Sequence, residues 1–588
     1  MNKPRLMRLI RWRVWLGGAI RPTETQVTLF WAGVVGLFGG LSSYGFRVCI
    51  RGFQWLMTHQ GGSLVQAASN MVWWERLAVP TAGGFLAGAV LFLGMRITRG
   101  EHSTDYMEAI ALRDGIIRTR SSLVKSVSSL LTISSGGSIG REGSMVQLGA
   151  WLASFVGRRV RLPTPRLRLL VACGAAAGIA AAYNAPIAGA LFVAEIILGS
   201  ISMESFGPLI FASVVSTLTV RKLWTGSPLF AVPSFQLVSA WELIPCLVLG
   251  LVAGLVAPGF LRLLRRSEDL FARSRLPVYW RLAVGGLIVG GLSVYVPQVW
   301  GNGYSVIDSI LHNPWPWGLV LAVLGCKIVS TAATFGSGAT GGVFTPTLFV
   351  GAALGCLYGQ GLHALAPATT APPSAYALVG MGCLLAATTH APLMAILMLF
   401  EMTLDYDIIL PLMLACVAAF YVARRIEPES IYAHSLRRKD AATPLSALSE
   451  IRVRSLMKPA PPTVREQASF AEIAQYFLTT SRNTLYVVGP GNEFRGAIEL
   501  HLIKAYLTSE SLATVLTASD LMRTEFPWIT EDALLGETLG RFANLAAERL
   551  PVVNNAGERR LVGTLAKTDV ILTLAHGGPP PDSLPSAT

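Results

Sequence analysis

Ser135-Gly136-Gly137-Ser138-Ile139-Gly140-Arg141-Glu142-Gly143-Ser144 sets one carboxylate into a run of small residues between apolar stretches. Glycine lets backbone segments approach closely and leaves N–H groups open. A helix beginning here would offer unpaired donors and a partial positive charge, an anion site. An ionisable residue inside a membrane is a functional candidate by default, which singles out Glu142. An Arg141–Glu142 ion pair at a helix end is the plainer alternative. The second half carries a matching element, Gly336-Ser337-Gly338-Ala339-Thr340-Gly341-Gly342-Val343-Phe344-Thr345-Pro346. Pro346 falls in a first helical turn, where no N–H is needed. The N–H groups of Val343 and Phe344 would then face a cavity; a Gly-rich helix break without ligand is the alternative.

Further landmarks recur around these elements. Gly149 follows the first and Gly351 the second at the same spacing. Ala185-Pro186 leads to Glu195 just as Ala391-Pro392 leads to Glu401. Two matched landmarks in one order point to a duplicated membrane unit, and broken helices favour inverted halves.

The composition agrees. The chain of 588 residues is 52% hydrophobic and only 14% charged, against roughly 25% charged in soluble domains. Apolar runs at 27–46, 77–95, 169–198, 243–264, 282–296, 318–335 and 375–401 reach or approach bilayer length. They are uneven and broken by Gly, Pro and Ser, as in transporters built from half-helices. The 58 glycines suit close helix packing in a membrane. The net charge of +14 does not indicate nucleic acid, because the basic residues flank apolar spans. Lys3, Arg5, Arg8, Arg11, Arg13 and Arg21 all precede the first acid, Glu24, which places the N-terminus in the cytoplasm. No cleavable signal peptide is evident. The seven cysteines sit in or beside apolar segments without a CxxC pair and read as buried thiols. The eight histidines are scattered and no HExxH occurs, so neither a metal site nor an enzyme is expected.

Composition changes after Ala423. The boundaries expected are a basic N-terminus at 1–24, a membrane domain at 25–435 with halves at 25–225 and 240–435, and a linker at 436–450. Beyond them, 451–507 and 516–576 are α/β repeats and 577–588 a disordered tail. In the repeats Leu456-Met457-Lys458 recurs as Leu521-Met522-Arg523, and strand-like 485–488 and 550–553 alternate with helical 470–478 and 535–547.

The stretches GREGS at 140–144, GSGATGGVFTP at 336–346 and AATTHAPLMAILMLFEMT at 386–403 resemble signatures of the CLC chloride channel and transporter family. Residues 104–109 and 173–178 look closest to its bacterial ClcB branch. The resemblance covers roughly 25–435 and implies an all-α polytopic fold of tilted, broken helices in inverted halves. It implies a homodimer with a separate anion pathway in each subunit, in the bacterial inner membrane, both termini cytoplasmic. It makes Glu142 the external gating glutamate, with Gly140, Arg141 and Gly143 beside it as anion-binding residues. Val343 and Phe344 would line the central anion site, with Gly342 and Pro346 breaking the helix. Tyr432 would close the inner side, although it also reads as an interfacial anchor.

Two departures from the family pattern matter. The usual serine-bearing first signature is absent; Glu101-His102-Ser103-Thr104-Asp105 stands in its place, so Ser103 or Thr104 would supply the hydroxyl. The internal proton-transfer glutamate is replaced by Ile196, which cannot relay a proton. The expectation is therefore a chloride channel with passive conduction, the alternative an H+/Cl− antiporter. A membrane-embedded enzyme or a non-conducting sensor ranks below both. Glu195 and Glu401 are expected in structural or cytoplasmic-end roles. The repeats at 451–576 resemble a pair of CBS domains, which often bind adenine nucleotide. Here the second copy keeps only Asp569 (with Ala566), and the first has Glu499 and Leu502. A weakened or absent nucleotide site, and no other cofactor, is the expectation.

Overall fold

The computed structural model describes residues 24–97, 105–111, 113–223, 230, 240–433, 451–480, 483–503, 516–543 and 548–570. The chain divides into two compact units, Met1–His434 and Ser435–Thr588.

In the first unit, each major helix of the first half has a counterpart in the second. The first half runs α1 (Glu24–Thr58), α2 (Trp73–Ile97), α3 (Tyr106–Ala111), α4 (Thr119–Ser134), α5 (Glu142–Arg159), α6 (Thr164–Tyr183), α7 (Pro186–Leu191) and α8 (Met203–Leu223). The second runs α9 (Leu243–Arg273), α10 (Val278–Tyr295), α11 (Tyr304–His312), α12 (Trp317–Gly336), α13 (Phe344–Leu365), α14 (Pro373–Thr389), α15 (Pro392–Thr403) and α16 (Ile409–Ile426). Among the described residues, nine helices are long and apolar enough to cross a membrane. The unit is a multi-pass membrane protein.

Two apolar runs that read as continuous in sequence are broken. The run at 169–198 stops at Asn184, whose φ of 59° is left-handed, and restarts at Pro186. The run at 375–401 stops at His390, φ 58°, and restarts at Pro392. A left-handed residue ends a helix, and a proline two residues on starts the next without needing its N–H. Each half therefore ends one helix and begins another inside the protein. α7 continues as a π-helix over Phe192–Leu198, a winding that α15 lacks.

Glycine pairs set the tightest crossings. Gly149 on α5 meets Gly174 on α6, where a Cβ on either would lie 2.4 Å from the other's carbonyl oxygen. Gly351 on α13 and Gly380 on α14 repeat this at the same 2.4 Å. In a bilayer such close approach supplies packing energy that lipid-facing Leu cannot. Gly380→Ala is expected to cost about 1–3 kcal/mol by overpacking and to lower the unfolding midpoint in detergent. An unchanged midpoint would mean the helices can part freely.

The second unit contains two β–α–β–β copies. In the first, β2 (Thr463–Arg465) runs parallel to β3 (Thr484–Val488), which pairs antiparallel with β4 (Phe494–Glu499); α17 (Phe470–Thr479) lies between β2 and β3 in sequence. In the second, β5 (Ile529–Thr530), α18 (Leu535–Ala543), β6 (Arg549–Val553) and β7 (Leu561–Ala566) repeat the pattern. The copies are not self-contained segments, however. β1 (Lys458–Pro459) pairs with β7, and Val453 and Leu456 join the core of Ile529, Leu535 and Leu565. Conversely, Ala518 and Leu521 join the core of Phe470, Ile473 and Leu485, and Arg523 bridges to Ala497. Each copy lends its leading segment to the other, so neither 451–507 nor 516–576 closes a core alone.

Candidate anion site

Glu142 is the first residue of α5, and its side chain is only 2% exposed. It crosses to the other half of the membrane unit. Oε1 accepts the Thr345 N–H at 3.0 Å, and Oε2 lies 3.1 Å from Thr345 Oγ1, which donates to it. Thr345 is in the first turn of α13. The carboxylate therefore lies between the N-termini of α5 and α13, where partial positive charges favour an anion.

The glycines make this placement possible. Gly140 and Gly342 exchange backbone hydrogen bonds, 2.7 Å from Gly140 N to Gly342 O and 2.9 Å in return. This antiparallel bridge joins the two glycine-rich loops. A Cβ at Gly140 would stand 2.1 Å from Glu142 Oε1, and one at Gly342 would stand 2.6 Å from it. Gly143 is also close, with its Cβ position 3.1 Å from Gly342 N. A side chain at Gly140 or Gly342 would displace the carboxylate, so the small-residue pattern serves close approach.

Val343 is the N-cap of α13 and Phe344 its first residue. N–H groups there lie beyond the reach of intrahelical acceptors. Val343 is 6% and Phe344 1% exposed. Pro346 lies in the first turn, as expected. The Phe344 ring stands 4.8 Å from Tyr183 and 6.5 Å from Phe192, and Phe192 meets Tyr432 edge-on at 5.5 Å. Aromatic edges carry partial positive charge. Tyr432 thus joins the ring cluster that contains Phe344.

The segment that leads to Tyr432 is held to α9 by an arginine clamp. Arg265 on α9 contacts Glu427 Oε1 at 2.7 Å and the Glu429 carbonyl at 2.9 Å, and Arg262 contacts Glu427 Oε2 at 3.1 Å. Burial pushes the Glu427 carboxyl up, but the two guanidiniums more than offset this and hold it below the usual carboxylate range. Its stabilisation is present at neutral pH and is lost as pH falls through that lowered pKa.

Three functional candidates escaped the sequence reading. Thr345 Oγ1 lies 3.0 Å from the Tyr183 hydroxyl and 3.3 Å from the Tyr304 hydroxyl, as well as contacting Glu142. Thr345 stood inside the quoted motif, but nothing marked its side chain as the partner of Glu142. Tyr183 ends α6 and Tyr304 begins α11, far from both motifs in sequence. The Arg141 guanidinium stacks over Tyr304, 5.0 Å from its ring centre, rather than pairing with Glu142 as an ion pair. Ser103 and Thr104 lie outside the described residues.

Glu195 and Glu401 cap each other's half. Glu401 accepts the N–H groups of Ile187 and Ala188 at 3.0 and 2.8 Å, in the first turn of α7. Glu195 accepts those of Leu393 and Met394 at 3.4 and 2.8 Å, in the first turn of α15. The reciprocity, like the Gly140–Gly342 bridge, expresses a local two-fold relation between the halves. Ile196 follows Glu195 within the π-helical turn and is half-buried. In the second unit, Asp569 is engaged by Lys458 Nζ at 3.0 Å.

Comparison with known proteins bears on this arrangement. A family model described as voltage gated chloride channel matches residues 83–424, and a CBS domain model matches 518–576. A putative chloride channel protein ClcB-like from Ralstonia nicotianae is 54% identical over 411 residues, covering 69% of this chain and 96% of that protein. The voltage-gated ClC-type chloride channel ClcB of Citrobacter koseri is 42% identical over 405 residues, covering 68% and 97%. Among solved structures, a slow cyanobacterial Cl−/H+ antiporter superposes with a TM-score of 0.63 at 27% identity, covering 70% of this chain and 98% of the other. A eukaryotic CLC transporter, at 17% identity, shares the fold with a TM-score of 0.62 over 92% and 97% of the two chains. With its paired glycine loops and the family match spanning both, the chain belongs to the CLC family of voltage-gated chloride channels and chloride transporters.

Proposed function

We propose that this protein is a chloride channel that conducts passively and is gated by Glu142. The observation that carries the reading is the Glu142 carboxylate seated at the paired N-termini of α5 and α13. A carboxylate there is a tethered anion. Chloride entering the same donors displaces it, and protonation releases it. Backbone N–H groups and helix dipoles attract without a full counter-charge, so a bound anion leaves quickly. Val343, Phe344 and Tyr432 form the inner part of the route, and Ser103 or Thr104 supplies a further hydroxyl.

Ile196 favours passive conduction, because an alkyl side chain offers no protonation site on the inner side. The second reading is proton-coupled exchange, favoured by the likeness to a Cl−/H+ antiporter structure at 27% identity. We take the protein to work as a homodimer in the bacterial inner membrane, both termini in the cytoplasm, each subunit with its own pathway. No cofactor belongs to this reading. The Lys458–Asp569 pair occupies the acid that would hold a ribose, which weighs against nucleotide at the CBS pair.

The test is flux from liposomes holding the purified chain, with chloride efflux and internal pH recorded together and the potential clamped. Chloride efflux without proton movement is the expected result. Protons driven uphill by the chloride gradient would establish exchange and overturn the channel reading.

A further inference from the structure

Behind the loops that carry Gly140 and Gly342, a small cavity lies where the ends of α4 and α12 meet α2 and α10. It holds about 10 Å³ of space for a water-sized molecule, about what one water needs. Thr132 and Ser135 line it from the first half, Thr334 and Ser337 from the second. Gly84 on α2 and Gly286 on α10 also line it. Thr132 pairs with Thr334, Ser135 with Ser337 and Gly84 with Gly286 by the sequence offset that relates Gly140 to Gly342. The remaining lining residues pair by that offset too. The cavity therefore sits on the local two-fold axis.

The hydroxyl hydrogens are already committed. Thr132 Oγ1 donates to Ser128 O at 3.0 Å and Thr334 Oγ1 to Ser330 O at 2.9 Å. Ser135 Oγ donates to Thr132 O at 3.1 Å and Ser337 Oγ to Thr334 O at 2.8 Å. Each hydroxyl has one hydrogen, so what remains to face the cavity is acceptor capacity. α4 ends at Ser134 and α12 at Gly336, so two negative helix ends converge on the same place. The chemistry is opposite to that at Glu142: chloride is repelled, and a hydrogen-bond donor is required.

We propose that this cavity is a binding site for one water molecule, which donates one hydrogen to each half of the membrane unit. Water is itself two-fold symmetric and fits a two-fold site. A bare alkali cation would need more oxygen ligands and would bring a full charge into the membrane interior. The site lies directly behind the loops that carry Gly140 and Gly342. Ser138 fastens one loop to α12, its N–H on Thr334 Oγ1 at 3.3 Å and its hydroxyl 3.1 Å from Thr331 Oγ1. The water adds a second fastening on the axis and so helps hold the loops that shape the anion site.

A high-resolution map of the full chain in lipid or detergent, with sodium and again with thallium, tests the assignment. One peak at hydrogen-bond distance from hydroxyls of both halves, unchanged between the salts, is expected. A thallium signal there would replace water by a cation, and an empty cavity would remove the site; either overturns the proposal. A double-mutant cycle of Thr132→Val and Thr334→Val gives a separate reading. If one water bridges the pair, the double variant loses less in unfolding midpoint than the sum of the single losses. Strictly additive losses would overturn the bridge.

Discussion

Glu142→Gln is expected to conduct chloride constitutively and without dependence on external pH. Glutamine keeps the size of the side chain and can still accept the Thr345 N–H, but it carries no charge. In the native protein the carboxylate takes two hydrogen bonds from Thr345, at 3.0 and 3.1 Å. A hydrogen bond to a charged group is worth roughly 1.5–3 kcal/mol. Losing one such bond outright shifts the balance toward the open site roughly tenfold to a hundredfold. Wild-type chloride flux should rise as external pH falls, because protonation removes the same charge. Chloride efflux from liposomes across a range of external pH checks both statements. A variant whose flux still rises steeply with acidification would place the gate elsewhere.

Glu401→Ala should be the most destabilising of the single substitutions considered. Its carboxylate is 7% exposed and holds the N–H groups of Ile187 and Ala188. Two charge-assisted bonds are lost together, about 3–6 kcal/mol, and two donors stay unpaired at a helix start inside the protein. Glu401→Gln retains one acceptor and is expected to cost about half as much. Glu195→Ala should cost less than Glu401→Ala, because Glu195 is half-buried and one of its bonds is long at 3.4 Å. Thermal unfolding of the purified variants in detergent ranks all three. Wild-type stability in Glu401→Ala would mean water or lipid replaces the cap.

The two carboxylate roles separate cleanly. Glu142 crosses to a helix start that glycines leave open, which is the basis of the proposed exchange with an anion. Glu195 and Glu401 cross to helix starts that begin with Pro186 and Pro392 and hold them shut. All three are buried or half-buried acids of the membrane unit, and they differ in the helix start each one crosses to.

Much of this was legible in the amino-acid order. Apolar runs, basic flanks and glycine motifs required a membrane protein of two similar halves. Gly140, Gly342 and Pro346 carry their meaning locally, because backbone freedom and a missing N–H belong to the residue itself. The breaks inside 169–198 and 375–401 were harder, since Asn184 and His390 enter the left-handed region only as each chain turns between packed helices. The exchanged segments of the C-terminal copies were hidden for a related reason. Strand pairing between Lys458–Pro459 and β7 is a contact between distant parts of the chain.

The sequence alone therefore determined the class of molecule, its two-fold plan and the carboxylate at its centre. Tertiary structure decided which donor meets which acceptor. Thr345 becomes the partner of Glu142, Tyr183 and Tyr304 join it, and four hydroxyls surround a water-sized cavity, because the two halves fold face to face. Local chemistry can be read residue by residue. A hydrogen bond across the two-fold axis exists only once both halves have been placed.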